Sequence, residues 1–182
     1  MIIKRDGAPR AESLSFCLIY GDNMTGKIVV IGAGAAGVMA ALTAAQKKKV
    51  ILIEKNDRIG KKLFITGKGR CNVTNACDAD GFFNSVVTNS KFMYSSFYTF
   101  DNNMIMDYLE KAGCPLKIER GGRVFPTSDH SSDVIGAFKT LINRNKNISL
   151  YLNTKVTGIN IEDGRIKSVD VSGDNGGGGE ER

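Results

Sequence analysis

The chain has 182 residues, with 25 Lys and Arg against 19 Asp and Glu, 42% hydrophobic residues and no tryptophan. Hydrophobic and charged fractions near the globular average argue against disordered, collagen-like and membrane classes, and no apolar run approaches the roughly 18 residues of a membrane span. Four cysteines without a C-x-x-C pair, and a single histidine, argue against a disulfide scaffold and leave no recognisable zinc set. That pattern predicts a reducing compartment, the cytoplasm.

Length alone predicts one domain. Residues 1–26 mix Gly, Pro, Asp and Ser without a clear period; Met24 reads as an alternative start, and residues 1–23 read as a mobile N-terminal extension. Residues 16–20 are apolar but too short for a signal-peptide core. The β-branched run at residues 27–31 (KIVVI) predicts a strand buried on both faces, near the centre of a parallel sheet. Residues 35–48 read as a helix and 50–54 (VILIE) as a second buried strand, which together make a βαβ unit.

Residues 55–80 hold glycines, lysines and asparagines with little periodicity, and are expected to form a long functional loop. Helices are predicted at 91–100 and 102–112, the second capped by Asp101 and ended by Gly113 and Pro115. A third, at 133–143, is expected to take Ser131 or Ser132 as its cap and to turn Val134, Ala137, Phe138, Leu141 and Ile142 to the core. Residues 148–152 read as a third strand. Residues 156–161 and 165–171 flank Asp163-Gly164, the signal for a two-residue hairpin turn. The tail at 173–182 has no apolar residue and reads as a disordered linker. The fold class is therefore α/β: a Rossmann-like βαβ fold with a central parallel sheet and a C-terminal β-hairpin.

Gly32-Ala33-Gly34-Ala35-Ala36-Gly37 is G-x-G-x-x-G. It follows a predicted strand, opens a predicted helix, and has an acid, Glu54, about 20 residues on at the end of the second strand. Each part has a physical task. Gly32 permits the tight turn, Gly34 leaves room for a pyrophosphate to approach the backbone, and Gly37 lets helix and strand pack closely. The helix N-terminus favours the phosphates, and Glu54 can accept hydrogen bonds from ribose hydroxyls while repelling a 2′-phosphate. FAD and NAD both satisfy this pattern, since both present an ADP half. Basic charge is concentrated downstream: residues 47–70 hold nine Lys and Arg opposed only by Glu54 and Asp57. Lys47, Lys48 and Lys49 read as a solvated helix end, and Lys61 and Lys68 as solvated side chains. The glycine-interleaved remainder is suited to a phosphate.

Residues 60–75 (GKKLFITGKGRCNVTN) and 122–128 (GRVFPTS) closely resemble signature blocks of the YhiN/BaiN-type flavoproteins, a family that includes aminoacetone oxidases. The resemblance covers residues 27–171 and implies FAD on a Rossmann-like domain. It implies that Gly32, Gly34, Ala36 and Gly37 face the pyrophosphate, and that Glu54 and Lys55 meet the ribose region. Lys62, Thr66, Gly67, Arg70, Cys71 and Asn72 would line the pyrophosphate and flavin side, and Val156 would offer its backbone to the adenine. Lys62 and Arg70 are expected to neutralise the pyrophosphate or the reduced flavin, with Thr66 and Asn72 bonding ring or ribityl oxygens.

Cys71 beside Arg70 is a candidate thiolate, but a small, partly buried residue packed by the flavin is the stronger reading. Cys77 and Cys114 are expected to be inert, and His130 to lie on the surface. No catalytic residue is identified. In the resembled family the chain runs on into an A-T-G-G strand and a substrate domain. This chain is therefore expected to be the N-terminal, incomplete part of a flavin-dependent oxidoreductase, binding FAD weakly or not at all and turning over no substrate by itself. NAD(P)H is a candidate electron donor; the substrate is unidentified, and membrane and nucleic-acid partners are not expected. The rival readings are an NAD-binding dehydrogenase fragment and a non-catalytic nucleotide- or RNA-binding module.

Overall fold

A computed structural model describes residues 13–17 and 27–173. The chain divides into two units, one of residues 1–61 with 141–182 and one of residues 62–140. The first contains β1 (Ser13–Cys17), β2 (Ile28–Ile31), α1 (Ala35–Ala44) and β3 (Val50–Ile53). The second follows with α2 (Lys61–Ile65), β4 (Thr74–Asn75), α3 (Ala79–Ser85), α4 (Tyr94–Thr99), α5 (Asn102–Lys111), β5 (Leu116–Ile118) and β6 (Arg123–Pro126). Helix α6 (Ser131–Arg144) carries the chain back to the first unit, which ends in β7 (Ile148–Tyr151), β8 (Thr154–Glu162) and β9 (Arg165–Gly173).

In the first unit β2, β3 and β7 form a parallel sheet in that order. Val50, Ile51, Leu52 and Ile53 are all buried in its central strand, and each such side chain stabilises the fold by about 1.5–3 kcal/mol. Helix α1 buries Val38, Ala41 and Leu42 and packs on β2 and β3. The hairpin forms as the sequence predicts: β8 and β9 pair antiparallel, with Asp163 and Gly164 at φ 51° and 70°, the left-handed pair that a two-residue turn requires. Val169 and Val171 of β9 share a small core with Ile51 and Ile53.

Three expectations change. The strand at 27–31 is an edge of its sheet among the described residues, not a centre, so Ile28 and Ile31 stay 39% and 54% exposed. β-branching specifies a strand; it does not count that strand's neighbours. Residues 55–80 are not one loop, since they contain α2, a 3₁₀ turn at Thr66–Gly69, β4 and the start of α3. Within the expected N-terminal extension, β1 pairs antiparallel with β9, Phe16 opposite Val169. The rest of that extension and nearly all of the glycine-rich tail lie outside the described residues.

In the second unit β6 is flanked by β4 and β5, both antiparallel. Asp101 caps α5 by accepting from Met104 N–H at 2.8 Å, as expected. Asp78, unforeseen, caps α3 through Gly81 N–H at 2.8 Å. Ser131 is not a cap; it begins α6 and its hydroxyl donates to the Phe64 carbonyl at 2.9 Å. No helix among the described residues is long and apolar enough to cross a membrane.

Candidate cofactor site

The fingerprint loop is built between the ends of β2 and β3. Gly32 turns at φ +94°, a conformation that L side chains rarely adopt, and its N–H donates to Ile53 O at 2.7 Å. Ala33 is fully buried. Its N–H donates to Glu54 Oε2 at 2.8 Å, and its carbonyl accepts from Gly60 N–H at 2.9 Å. Gly34 is the N-cap of α1, and the first helical bond runs from Val38 N–H to Gly34 O at 2.9 Å. The N–H groups of Ala35, Ala36 and Gly37 therefore precede the intrahelical ladder, and Gly34, Ala35 and Ala36 are exposed. A Cβ at Gly34 would meet nothing within 4 Å, whereas one at Gly37 would lie 1.8 Å from Gly32 O. One glycine leaves an open cradle; the other permits the helix to touch the strand.

Glu54 is buried at the end of β3. Its Oε1 accepts from Asn56 N–H at 2.9 Å and from the Asn56 side-chain amide. Burial opposes its charge, but the hydrogen bonds from Ala33 and Asn56, helped by Lys55, outweigh that cost and hold its pKa below the ordinary carboxylate value. Lys55 is exposed. Val156 lies on β8 opposite Val171, next to a register shift, and its half-buried side chain packs on the Ile51–Ile53 core.

The remaining candidates belong to the second unit. Lys62 is exposed in α2, and its carbonyl accepts from Thr66 Oγ1 at 2.8 Å. The following loop closes on itself through Cys71 N–H to Thr66 O at 2.9 Å and Arg70 N–H to Gly67 O at 3.2 Å. Lys68 and Cys71 both take left-handed backbone, at φ 56° and 58°. Such residues cost of order 1–3 kcal/mol and persist only where their surroundings over-determine them.

Arg70 supplies that constraint. Its Nε donates to Asp129 Oδ1 at 2.9 Å and its Nη2 to Glu119, with the guanidinium 4.1 Å from the centre of the Phe125 ring. Lys117 joins through Asp129 Oδ2 at 2.7 Å. The cation expected to face a phosphate or flavin is already met by two carboxylates of its own unit.

Cys71 is 1% exposed and burial pushes its thiol up, so the buried reading holds and the activated thiolate does not. Burial, with Asp133, Cys71 and Glu110 nearby, also pushes Cys114 up to about 11. His130 is exposed. Asn72 satisfies both ends of its amide with the nitrogen donating to Thr74 O and Val124 O, at 3.0 and 3.2 Å.

The two signature blocks thus fold onto each other: Thr74 pairs with Val124 and Asn75 with Arg123. Sequence reading missed Glu119, Asp129, Lys117 and Asn56. Nothing local marks them, although Phe125 stands within the second block.

The carboxylates of this cluster carry a pH prediction. Bonding to Arg70 lowers the pKa of Glu119, and bonding to Lys117 and Arg70 lowers that of Asp129. A carboxylate with a depressed folded pKa stabilises the fold above its ordinary value and loses that contribution as pH falls through the folded one. The Gly67–Asn72 amide resonances are therefore expected to hold constant at neutral pH and to shift only once the pH falls below the ordinary carboxylate range. An Arg70→Ala chain should lose the Glu119 part of that acid step and keep the part that Lys117 sets on Asp129.

The HI0933-like protein Rossmann domain family matches residues 26–177. The chain belongs to that family. This HI0933-like chain is 30% identical over 139 residues to a 3-dehydro-bile acid delta(4,6)-reductase of Clostridium scindens, covering 74% of this chain and 33% of that protein. It is 33% identical over 98 residues to a ribosomal RNA dihydrouridine synthase of Escherichia coli, covering 53% of this chain and 24% of that one. The chain thus spans about a third or less of the curated relatives it matches. Among solved structures, E. coli quinol fumarate reductase FrdA superposes with a TM-score of 0.58 at 19% identity, over 80% of this chain and 28% of that one. That likeness establishes the fold.

The family is one of flavoprotein oxidoreductases and its cofactor is FAD. The residues present fit the ADP half of that group: an open cradle at Gly34, N–H groups at the start of α1, and an ionised Glu54 at the end of the neighbouring strand.

Proposed function

We propose that this chain holds FAD within a flavin-dependent reductase of carbon–carbon double bonds conjugated to a carbonyl. The observation that carries the cofactor part is the cradle at Gly34, open to 4 Å, ahead of the first bonded turn of α1. The substrate class rests on the two curated relatives, a delta(4,6)-reductase of a 3-dehydro-bile acid and a dihydrouridine synthase of ribosomal RNA, whose names both describe reduction of such a bond. Reduced flavin supplies the hydride for that chemistry when bound, and NAD(P)H is the proposed electron donor.

In this reading Gly32, Gly34, Ala36 and Gly37 hold the pyrophosphate. Glu54 accepts from the ribose with Lys55 beside it, and Val156 offers its backbone to the adenine. Lys62, Thr66, Gly67 and Asn72 serve the flavin side. Arg70 and Cys71 contribute by fixing the shape of the 66–72 loop, because the charge of one is paired and the thiol of the other is buried. The task assigned to these 182 residues is nucleotide binding; turnover is proposed for a chain carrying the rest of the relatives' length.

The test is calorimetric titration with ADP and FAD, alongside the flavin absorbance near about 450 nm. Both nucleotides are expected to bind, FAD weakly, and fusion to the remaining part of a relative should tighten FAD and give NAD(P)H-dependent reduction of an enone. Binding of neither nucleotide would overturn the reading.

A further inference from the structure

The ribose-facing carboxylate is held by a residue to which the fingerprint assigns no task. Glu54 offers about four lone-pair sites, two on each oxygen. Among the described residues Oε1 uses both, on the backbone N–H and the side-chain amide of Asn56, and Oε2 accepts from Ala33 N–H alone. One acceptor site therefore remains, and it lies on the oxygen that also holds the fingerprint loop. The Asn56 amide is oriented in turn. Its Oδ1 accepts from Lys61 Nζ at 3.1 Å, which leaves Nδ2 to face Glu54. Its backbone is anchored independently by Asn153 N–H to Asn56 O at 3.0 Å. A relay runs from Lys61 through Asn56 and Glu54 to Ala33, wholly within the first unit.

We propose that Asn56 is a positioning residue for ribose recognition: by occupying Oε1 it fixes the Glu54 carboxylate so that Oε2 presents its one remaining acceptor site to a ribose hydroxyl. The proposal rests on the reading of this loop as the ADP site. It assigns Lys61 the smaller task of setting the amide's orientation and polarising it. Without Nδ2 the carboxylate is held only by two backbone N–H groups, one on each oxygen, so its last torsion loosens and Oε1 offers a free acceptor site in competition with Oε2.

A merely structural asparagine and a positioning one predict different results with two ligands. The probes are ADP and 2′,3′-dideoxy-ADP, titrated calorimetrically into the full 182-residue chain. The wild type should bind ADP about ten- to a hundredfold more tightly than the dideoxy nucleotide, the range of a hydrogen bond to a charged group. Asn56→Ala should lose about tenfold toward ADP and less than about twofold toward dideoxy-ADP. Lys61→Ala, a change at an exposed side chain that leaves the fold alone, should show the same selective loss at about two- to threefold.

Equal losses for both nucleotides would make Asn56 a loop brace and overturn the proposal, as would unchanged ADP affinity in folded Asn56→Ala. A wild type that binds both nucleotides equally would instead remove Glu54 from the ribose, and one that binds neither would remove the ADP site itself. Those two outcomes fall on the underlying reading and are visible before any variant is made.

Discussion

Two glycines three residues apart are expected to fail in opposite ways. Gly34→Val should abolish nucleotide binding, by more than about a hundredfold, in a chain that melts at its normal temperature. The backbone at Gly34 is extended, at φ −76° and ψ −176°, which valine adopts without strain. Its Cβ meets nothing within 4 Å, so the fold loses nothing and the side chain projects into the cradle. Gly37→Ala should do the reverse. Its Cβ would sit 1.8 Å from the Gly32 carbonyl oxygen, and that atom is backbone, held by the turn leaving β2. Overpacking ordinarily costs about 1–3 kcal/mol, and a clash that only displacement of α1 from β2 can relieve belongs at or above the top of that range. Thermal melts read with ADP titration separate the two. A Gly34→Val chain that still binds ADP would show that the loop is not the phosphate site, and a Gly37→Ala chain of unchanged stability would show that α1 does not need its close approach.

Glu54→Arg carries the second large effect, and the structure enlarges it beyond the loss of one ribose contact. Three donors converge on this carboxylate: Ala33 N–H, Asn56 N–H and the Asn56 amide. An arginine would place a cation among them at a buried position, with no acceptor to satisfy any of the three. Leaving a buried donor without its acceptor costs about 1–3 kcal/mol each, and the unpaired cation adds to that cost, so both the stability of the first unit and its ADP affinity should fall. Glu54→Gln is the informative control. Its amide can accept on one side only, so either Ala33 or Asn56 loses its partner, and a destabilisation of about 1–3 kcal/mol is expected. Urea melts give the first quantity and calorimetry the second. Unchanged stability in Glu54→Arg would mean that the carboxylate does not brace the loop.

The comparison of Glu54 with Arg70 shows where sequence reading stops. The place of Glu54 was legible because it depends on position along the chain. A strand, a G-x-G-x-x-G turn, a helix and a second strand place an acid at the first strand's neighbour whatever the remaining residues do. Arg70 was legible as a signature residue, yet its partners were not. Glu119 and Asp129 lie 49 and 59 residues away, and only the pairing of β4 and β5 with β6 brings their segments to it. The arginine read as a cofactor contact is thus tied to the two carboxylates of its own unit, beside a loop with left-handed backbone at Lys68 and Cys71.

What the sequence determined by itself is therefore local: the βαβ unit with its fingerprint, the cap at Asp101, the hairpin at Asp163-Gly164, and the family through its two blocks. Apolar period, side-chain caps and left-handed turn residues each act within a few positions, so these features survive any arrangement of the rest. The tertiary structure alone decided that β2 is an edge among the described residues with Ile28 and Ile31 exposed, that residues 55–80 hold helix and strand, that β1 pairs with β9, and which groups satisfy Glu54 and Arg70. Those outcomes depend on which distant segments arrive as neighbours. Hydrogen bonding and burial reward the contact whatever the chain distance between its partners, and so leave no periodic mark by which it could be read in advance.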